Sequence, residues 1–491
     1  MKRIFCLTMV VTLMMTGAVF AGTINLPQTG QTQCWDTSGN QIPCSGTGQD
    51  GEIQAGVAWP EPRFTPNADT TVTDNLTGLV WARDGNIMPT RDPGWDADGT
   101  ANDGAVTWQH ALDYVAKLNA ENYLTHNDWR LPNVNELESL VNANEANSAT
   151  WLNTEGFTNV QAFFYWSSTS FPFNSIVWPV NMLDGFMYYD LKSSSNYVWP
   201  VRSGQCGSSA ICLPKTGQTK CYDESGAEIS CTGTGQDGEI QAGVAWPDPR
   251  FTDNGDETVT DDLTELMWTK DANLPGDSKT WQEALDYVKG MNNGTYSNFG
   301  HTDWRLPNRK ELHSLIDYSQ VPVLPADHPF TNVQNFYYWS STTYADYPAI
   351  AWIVYMGQGF LDGGNKYLNW FYVWPVRGPE TTLNVNIDIK PGSFPNSINL
   401  KSKGNVPVAI LSSPTFDATT VDRGTVVFAG APALSIGGSP EDVNGDGLLD
   451  LVLHFSTQSL NLKSGDTEAC LTGKTLSGQE FEGCDSVKIV K

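Results

Sequence analysis

The stretch GTGQDGEIQAGVAWP stands at residues 46–60 and again, unchanged, at residues 233–247. A repeat of this kind constrains the architecture before any local propensity does, because two copies of one sequence fold to two copies of one unit. The match extends far beyond the fifteen residues. LPQTGQTQCWDTSG from Leu26 answers LPKTGQTKCYDESG from Leu213, and TVTDNLTGLVW from Thr71 answers TVTDDLTELMW from Thr258. DWRLPNVNELESLV from Asp128 answers DWRLPNRKELHSLI from Asp303, FTNVQAFFYWSST from Phe157 answers FTNVQNFYYWSST from Phe330, and YVWPVR closes both copies. Copy one carries the longer insert, from Asn86 to Val106. The offset falls from 187 to 173 residues, and a repeated unit of roughly 165 to 185 residues is too long for a solenoid and predicts a tandem pair of domains.

The start of the chain reads as an export signal. Lys2 and Arg3 form a basic start, Ile4 to Phe20 is mostly apolar, and Val19-Phe20-Ala21 offers a small-x-small cleavage site. Residues 1–21, with Cys6, are therefore set apart from the fold. Of the nine cysteines eight remain, an even number in a compartment where disulfides persist. The simplest pairing is Cys34 with Cys44, Cys221 with Cys231, Cys206 with Cys212, and Cys470 with Cys484. Zinc ligation would want CxxC knuckles, which are absent. With 28 Lys and Arg against 55 Asp and Glu, the formal charge is −27. Such a chain repels nucleic acid and anionic membrane and favours divalent cations as charged partners. No later run of about 18 apolar residues predicts a membrane span.

Local signals divide the chain into copy one at 22–205, copy two at 206–378, a linker at 379–384 and a different domain at 385–491. Asn133 with Glu136, and Asn308 with Glu311, have the spacing of capping boxes; Leu137, Leu140 and Val141 follow at helical intervals, as do Leu312, Leu315 and Ile316. A second helix is expected around Trp108 to Leu118 and Trp281 to Met291. The remaining Val-, Thr-, Trp- and Tyr-rich runs read as strands, so each copy is α+β. Residues 385–491 lack tryptophan and show VNIDIKPGS, VPVAILSS and TVVFAG, which predicts an all-β, sandwich-like domain.

Within that domain DVNGDGLLDLV places Asp442, Asn444, Asp446 and Asp450 at loop positions 1, 3, 5 and 9, with Leu448 able to supply a carbonyl. That is an oxygen set suited to a structural Ca²⁺. It resembles the loops of dockerin and integrin-type repeat proteins more than an EF-hand, because Leu453 stands where the closing Glu would be. The alternative is an Asp/Asn/Gly turn without an ion. The acids Asp96, Asp98 and Asp103 of the copy-one insert fit no regular loop and read as a solvated segment. LPQTG and LPKTG match a sortase pentapeptide but stand at the wrong end of each domain for anchoring.

Enzyme signatures are missing: no HExxH, GxSxG, phosphate loop or dinucleotide fingerprint. His126 and His301 precede DWRLP and read as turn residues, and Ser167-Ser168 and Ser340-Ser341 lack a recognisable base. The duplicated tryptophans read as core. A binding surface is better sought where the copies differ, at Tyr188 and Tyr189 in copy one and Trp370 and Phe371 in copy two, whose rings could stack on a sugar.

Taken together, WRLP, ELxSL, YWSST, TVTDNLTGLVW and the closing VR resemble the Lcl C-terminal domain family of exported bacterial proteins, over roughly residues 60–202 and 247–377. The resemblance implies a C-type-lectin-like fold and, for the collagen-like adhesin that names the family, attachment to glycosaminoglycans. This chain has no collagen-like region, and the EPN, QPD and WND motifs of calcium-dependent sugar binding are absent. The resulting expectation is a non-enzymatic, exported protein, extracellular, surface-bound or periplasmic, that recognises a glycan or protein. Its alternatives are a structural envelope component and an oxidase of the formylglycine-generating type, which would need a reactive cysteine pair.

Overall fold

A computed structural model describes residues 23–95, 103–172, 174–202, 211–378, 383–413, 416–476 and 480–490. The expected export signal, Cys206 of the Cys206–Cys212 pair, and Asp96 and Asp98 lie outside these residues. The chain is mostly β with few helices and many small sheets.

Each copy is built on a helix at the expected place, Trp108–Ala120 and Trp281–Asn292, followed by a short one, Val134–Ser139 and Arg309–Ser314. Asn133 and Asn308 cap the short helices, and Glu136 and Glu311 return the bond to complete both capping boxes. Two small antiparallel sheets mirror one another, with Phe64–Pro66, Thr71–Asp74, Val80–Ala82 and Val201–Arg202 in copy one and their equivalents in copy two. Of the ten duplicated tryptophans, only Trp59 and Trp246 stay partly open; Trp81, Trp129, Trp166 and Trp199 and their partners are buried.

The bodies share a core. Trp178 packs on Tyr318 and Phe360, with ring centres 5.4 and 5.6 Å apart, and Met187 and Leu361 exchange two 3.1 Å backbone hydrogen bonds. Glu138 of copy one is buried against Lys310 at 2.9 Å and Arg309 at 3.4 Å of copy two. Burial works to raise the Glu138 carboxyl, but the two cations outweigh it and hold the group below its ordinary range.

The segments that open each copy reach across to the body of the other copy as well as touching their own. Residues 24–59, arm one, reach copy two, and residues 211–246, arm two, reach copy one. Ile24 donates to the Leu263 carbonyl and Ile211 to the Leu76 carbonyl, both at 2.7 Å. Gln31 brackets Thr343, and Gln218 brackets Ser170, each through both ends of its amide. Asn308 donates to the Ala55 carbonyl and Asn133 to the Ala242 carbonyl, both at 3.2 Å. Arm one also touches copy one, where Ala143 donates to the Thr29 carbonyl, so each arm is held between both bodies. The two copies, at 22–205 and 206–378, are therefore joined through both arms.

At the centre of each crossing lies a buried carboxylate. Asp50 accepts hydroxyls from Thr29 of its own arm and Thr342 of the other body, both at 2.7 Å. Asp237 does the same with Thr216 and Thr169.

Residues 383–490 form a separate core around Val408, Ile410, Phe428, Phe455, Leu471 and Phe481. Their largest sheet has eight strands, and Cys470–Cys484 joins directly facing residues of two of them.

Candidate functional site

The exchange creates two equivalent clefts, of 470 and 420 Å³. In the first, arm one supplies Ile42, Gly46–Gln49, Glu52 and Ile53, facing Leu285, Asp286, Lys289 and the Trp304, Arg305 and Leu306 segment of copy two. In the second, arm two supplies Ile229, Gly233–Gln236, Glu239 and Ile240, facing Leu112, Asp113, Ala116 and Trp129–Leu131 of copy one. The first eight of the repeated fifteen residues thus supply one wall of each cleft, and the opposite walls differ in charge at one place, Ala116 against Lys289.

Local chemistry shapes the arm wall. The disulfides Cys34–Cys44 and Cys221–Cys231 close each hairpin. Gly46 and Gly48 take positive φ angles of 76° and 69°, turning their amides onto the Glu52 carboxylate. Burial pushes Glu52 upward, but these amides prevail and hold it below its usual range; Glu239 repeats the arrangement. Gly51 has no room for a side chain, because a Cβ there would stand 2.1 Å from the Gln33 carbonyl oxygen.

On the body side the polar groups are spent internally. Arg130 pairs with the capping-box carboxylate of Glu136, as Arg305 does with Glu311. Asn119 and Asn292 each bracket the backbone of a tryptophan, Trp129 and Trp304. What remains open is an apolar strip edged by the exposed Asp113 and Asp286, with Lys289 added in the first cleft. Ile53 and Ile240 are 43% and 41% exposed beside the buried Leu285 and Leu112, with Asp286 and Asp113 lining the same recesses.

Behind the clefts lie two buried lysines that motif reading had missed. Lys192 lies 4.3 Å from the Trp108 ring and donates to the Tyr222 and Asp223 carbonyls of arm two; Lys366 lies 4.0 Å from the Trp281 ring and donates to Thr343. Burial pushes their amines down to about 8 and about 7. Their only sequence signal was a Lys at the same alignment position in each copy.

The expected ring residues part company. Tyr188 and Tyr189 lie at the junction of the copies, their rings 4.5 Å apart, and Tyr188 is 37% exposed. Trp370 is 53% exposed on a copy-two loop. Phe371 must be removed from the set of open rings, since it is buried against Trp339 at 4.8 Å. His126 faces Asp69 at 3.2 Å, and the buried Ser167 and Ser340 hydroxyls donate to the carbonyls of Trp178 and Trp352.

The 442–450 loop is wound by its own side chains. Asp442 accepts the amides of Gly445, Asp446 and Gly447, Asn444 donates to Asp446 at 3.0 Å, and the buried Asp450 accepts those of Ser412 and Val443. Leu448 donates its amide to Asp446. The three carboxylates do not converge as a compact trio. Among the described residues the one such grouping of His, Cys, Asp or Glu is Glu468 with Cys470 and Cys484, and those cysteines form a disulfide.

A duplicated, disulfide-clasped pair of bodies with matching recesses defines a tandem-domain protein. Residues 70–202 and 257–377, just over half of the chain, match the Lcl C-terminal domain family, and the chain belongs to it. The arms lie outside the matched stretches. No curated protein matches the chain. Three disulfides among the described residues are compatible with an extracellular or periplasmic setting, and no helix there is long and apolar enough to cross a membrane.

Proposed function

We propose that the chain is an exported binding or adhesion protein that engages a glycan or protein ligand through its two clefts. The observation that carries the reading is the doubling: the same residues form the same recess twice, and each recess needs both copies. Two like sites on one rigid pair raise avidity for any ligand that repeats its epitope, without requiring either site to bind tightly. The family supports a binding role over catalysis, and the C-type-lectin-like fold is the architecture that the resemblance implies for each body. In the C-terminal domain Asp442, Asn444, Asp446, the Leu448 carbonyl and Asp450 would hold a structural Ca²⁺, whose charge would neutralise the loop carboxylates.

The test is binding of the purified chain to an array of glycans and matrix proteins, with Ca²⁺ and with a chelator. Ile53→Lys and Ile240→Lys place a charge in one cleft each at exposed positions. Each single variant should weaken binding and the double variant should abolish it. A double variant that binds like the parent would rule the clefts out.

A further inference from the structure

A second surface, sharing no residue with the clefts, crosses the junction of the copies. Phe186 stacks on Tyr188 at 6.2 Å, Tyr188 on Phe360 at 4.5 Å, Phe360 on Tyr355 at 5.6 Å, Tyr355 on Tyr337 at 4.9 Å, and Tyr337 meets Phe336 at 5.3 Å. The interplanar angles along the first four contacts are 23°, 33°, 28° and 31°, so each ring is tilted by no more than 33° from the last, and Phe336 then stands edge-on to Tyr337 at 79°. Edge-to-face packing, by contrast, dominates the interior around Phe64, Phe157 and Trp199. Phe360 is buried and serves as a floor, while Tyr188, next to the Phe186 end, and Phe336, at the other end, are 37% and 45% exposed.

The row belongs to neither copy alone. Copy one holds Asn181 where copy two has Tyr355, and copy two holds Asp362 where copy one has Tyr188, so the twofold relation that doubles the clefts does not double the row. Its electrostatics select the ligand. The ionisable groups acting on Tyr188 and Tyr337 are Asp362 and neighbouring phenols, with no lysine or arginine among them. Tyr344 donates to Asp184 at 2.6 Å beside Gly185 and Phe186. A sulfated or uronic glycan would meet the Asp362 carboxylate, on which no lysine or arginine acts. An uncharged sugar brings C–H faces to the rings and hydroxyls to Asp362 and the phenols.

We propose that this row is a stacking platform for a linear, uncharged polysaccharide, laid across the junction with sugar rings on Tyr188 and Phe336. The surface goes beyond the paired clefts and stands or falls separately from them.

Affinity electrophoresis of the full chain in gels containing hydroxyethylcellulose, laminarin or galactomannan, with heparin as the acidic comparison, tests it. At least one neutral polymer should retard the parent chain, and heparin should not. Tyr188→Leu and Phe336→Leu keep apolar volume but remove the planar face, and each should weaken retardation roughly tenfold, in line with one ring contact. Tyr188→Trp should restore it, and the cleft variants Ile53→Lys and Ile240→Lys should leave it unchanged. Retardation only by heparin, retardation by none of the neutral polymers, or Tyr188→Leu and Phe336→Leu variants that bind like the parent would each overturn the platform. Loss in the cleft variants alone would assign glycan binding to the clefts instead.

Discussion

Asp50 and Asp237 make the exchange sensitive to pH in a direction opposite to ordinary acid denaturation. Each is fully buried, contacts threonine hydroxyls from both sides of a crossing, and is pushed up to about 6 from 3.8, chiefly by desolvation. The hydroxyl bonds and the more distant Arg305 or Arg130 lower it, but not enough to compensate. A carboxyl whose folded pKa lies above its unfolded one is disfavoured as an anion in the fold. Its cost is complete above about pH 6 and is relieved as the pH falls toward 3.8. A displacement of about 2 pH units corresponds to about 3 kcal/mol for each site. His313, buried and held at about 4, acts the other way, because the fold must keep it neutral as the pH drops below 6.5. The diagnostic quantity is therefore the difference between parent and variant at each pH. Asp50→Asn and Asp237→Asn keep an acceptor for the threonines and remove the charge. Urea unfolding at pH 7.5 should show each variant more stable than the parent by up to about 3 kcal/mol, and at pH 4.5 the gain should shrink to a fraction of that. A constant difference across this range, or variants less stable at pH 7.5, would refute the assignment of a desolvated anion at the crossings.

Glu138→Gln should cost about 3 to 5 kcal/mol in the same assay, because Arg309 and Lys310 would remain buried without a counter-charge. Restoring the copy-one pattern on the other side, with Arg309→Val and Lys310→Asn alongside Glu138→Gln, should recover most of it. A protease site placed at residues 203–205 and cut in the folded chain should leave one particle of unchanged mass by native mass spectrometry, since each arm is docked on the other half. Replacing Cys34 and Cys44 together by Ala should destabilise arm one by about 2 to 3 kcal/mol, the value of closing a short loop. Hydrogen exchange at Gly46 and Gly48 should then rise while the matching amides of arm two stay protected.

Much of the local architecture was legible in the residues themselves. The capping boxes at Asn133 and Asn308, the helices beginning at Trp108 and Trp281, the disulfides of the hairpins and the tryptophan cores all follow from short-range patterns, which neighbouring residues impose whatever the rest of the chain does. The duplication likewise announced that any site in one copy would have an equivalent in the other. It could not announce which arm would dock on which body. The residues that make the crossing are the same in both arms, Thr29 and Thr216, Gln31 and Gln218, Asp50 and Asp237, so each arm carries the same docking chemistry. The choice falls to the three-dimensional path of the chain and to the buried charge of Glu138 against Arg309 and Lys310, which is absent from either copy alone. For the same reason Phe371, read as an open ring beside Trp370, turned inward, and Tyr188 found a partner in Phe360 far along the chain. Sequence determined two copies of one unit and the chemistry of their walls. Tertiary packing decided that the walls of each cleft come from different copies, because contact between distant residues is set by how the bodies bury their shared core and not by any pattern along the chain.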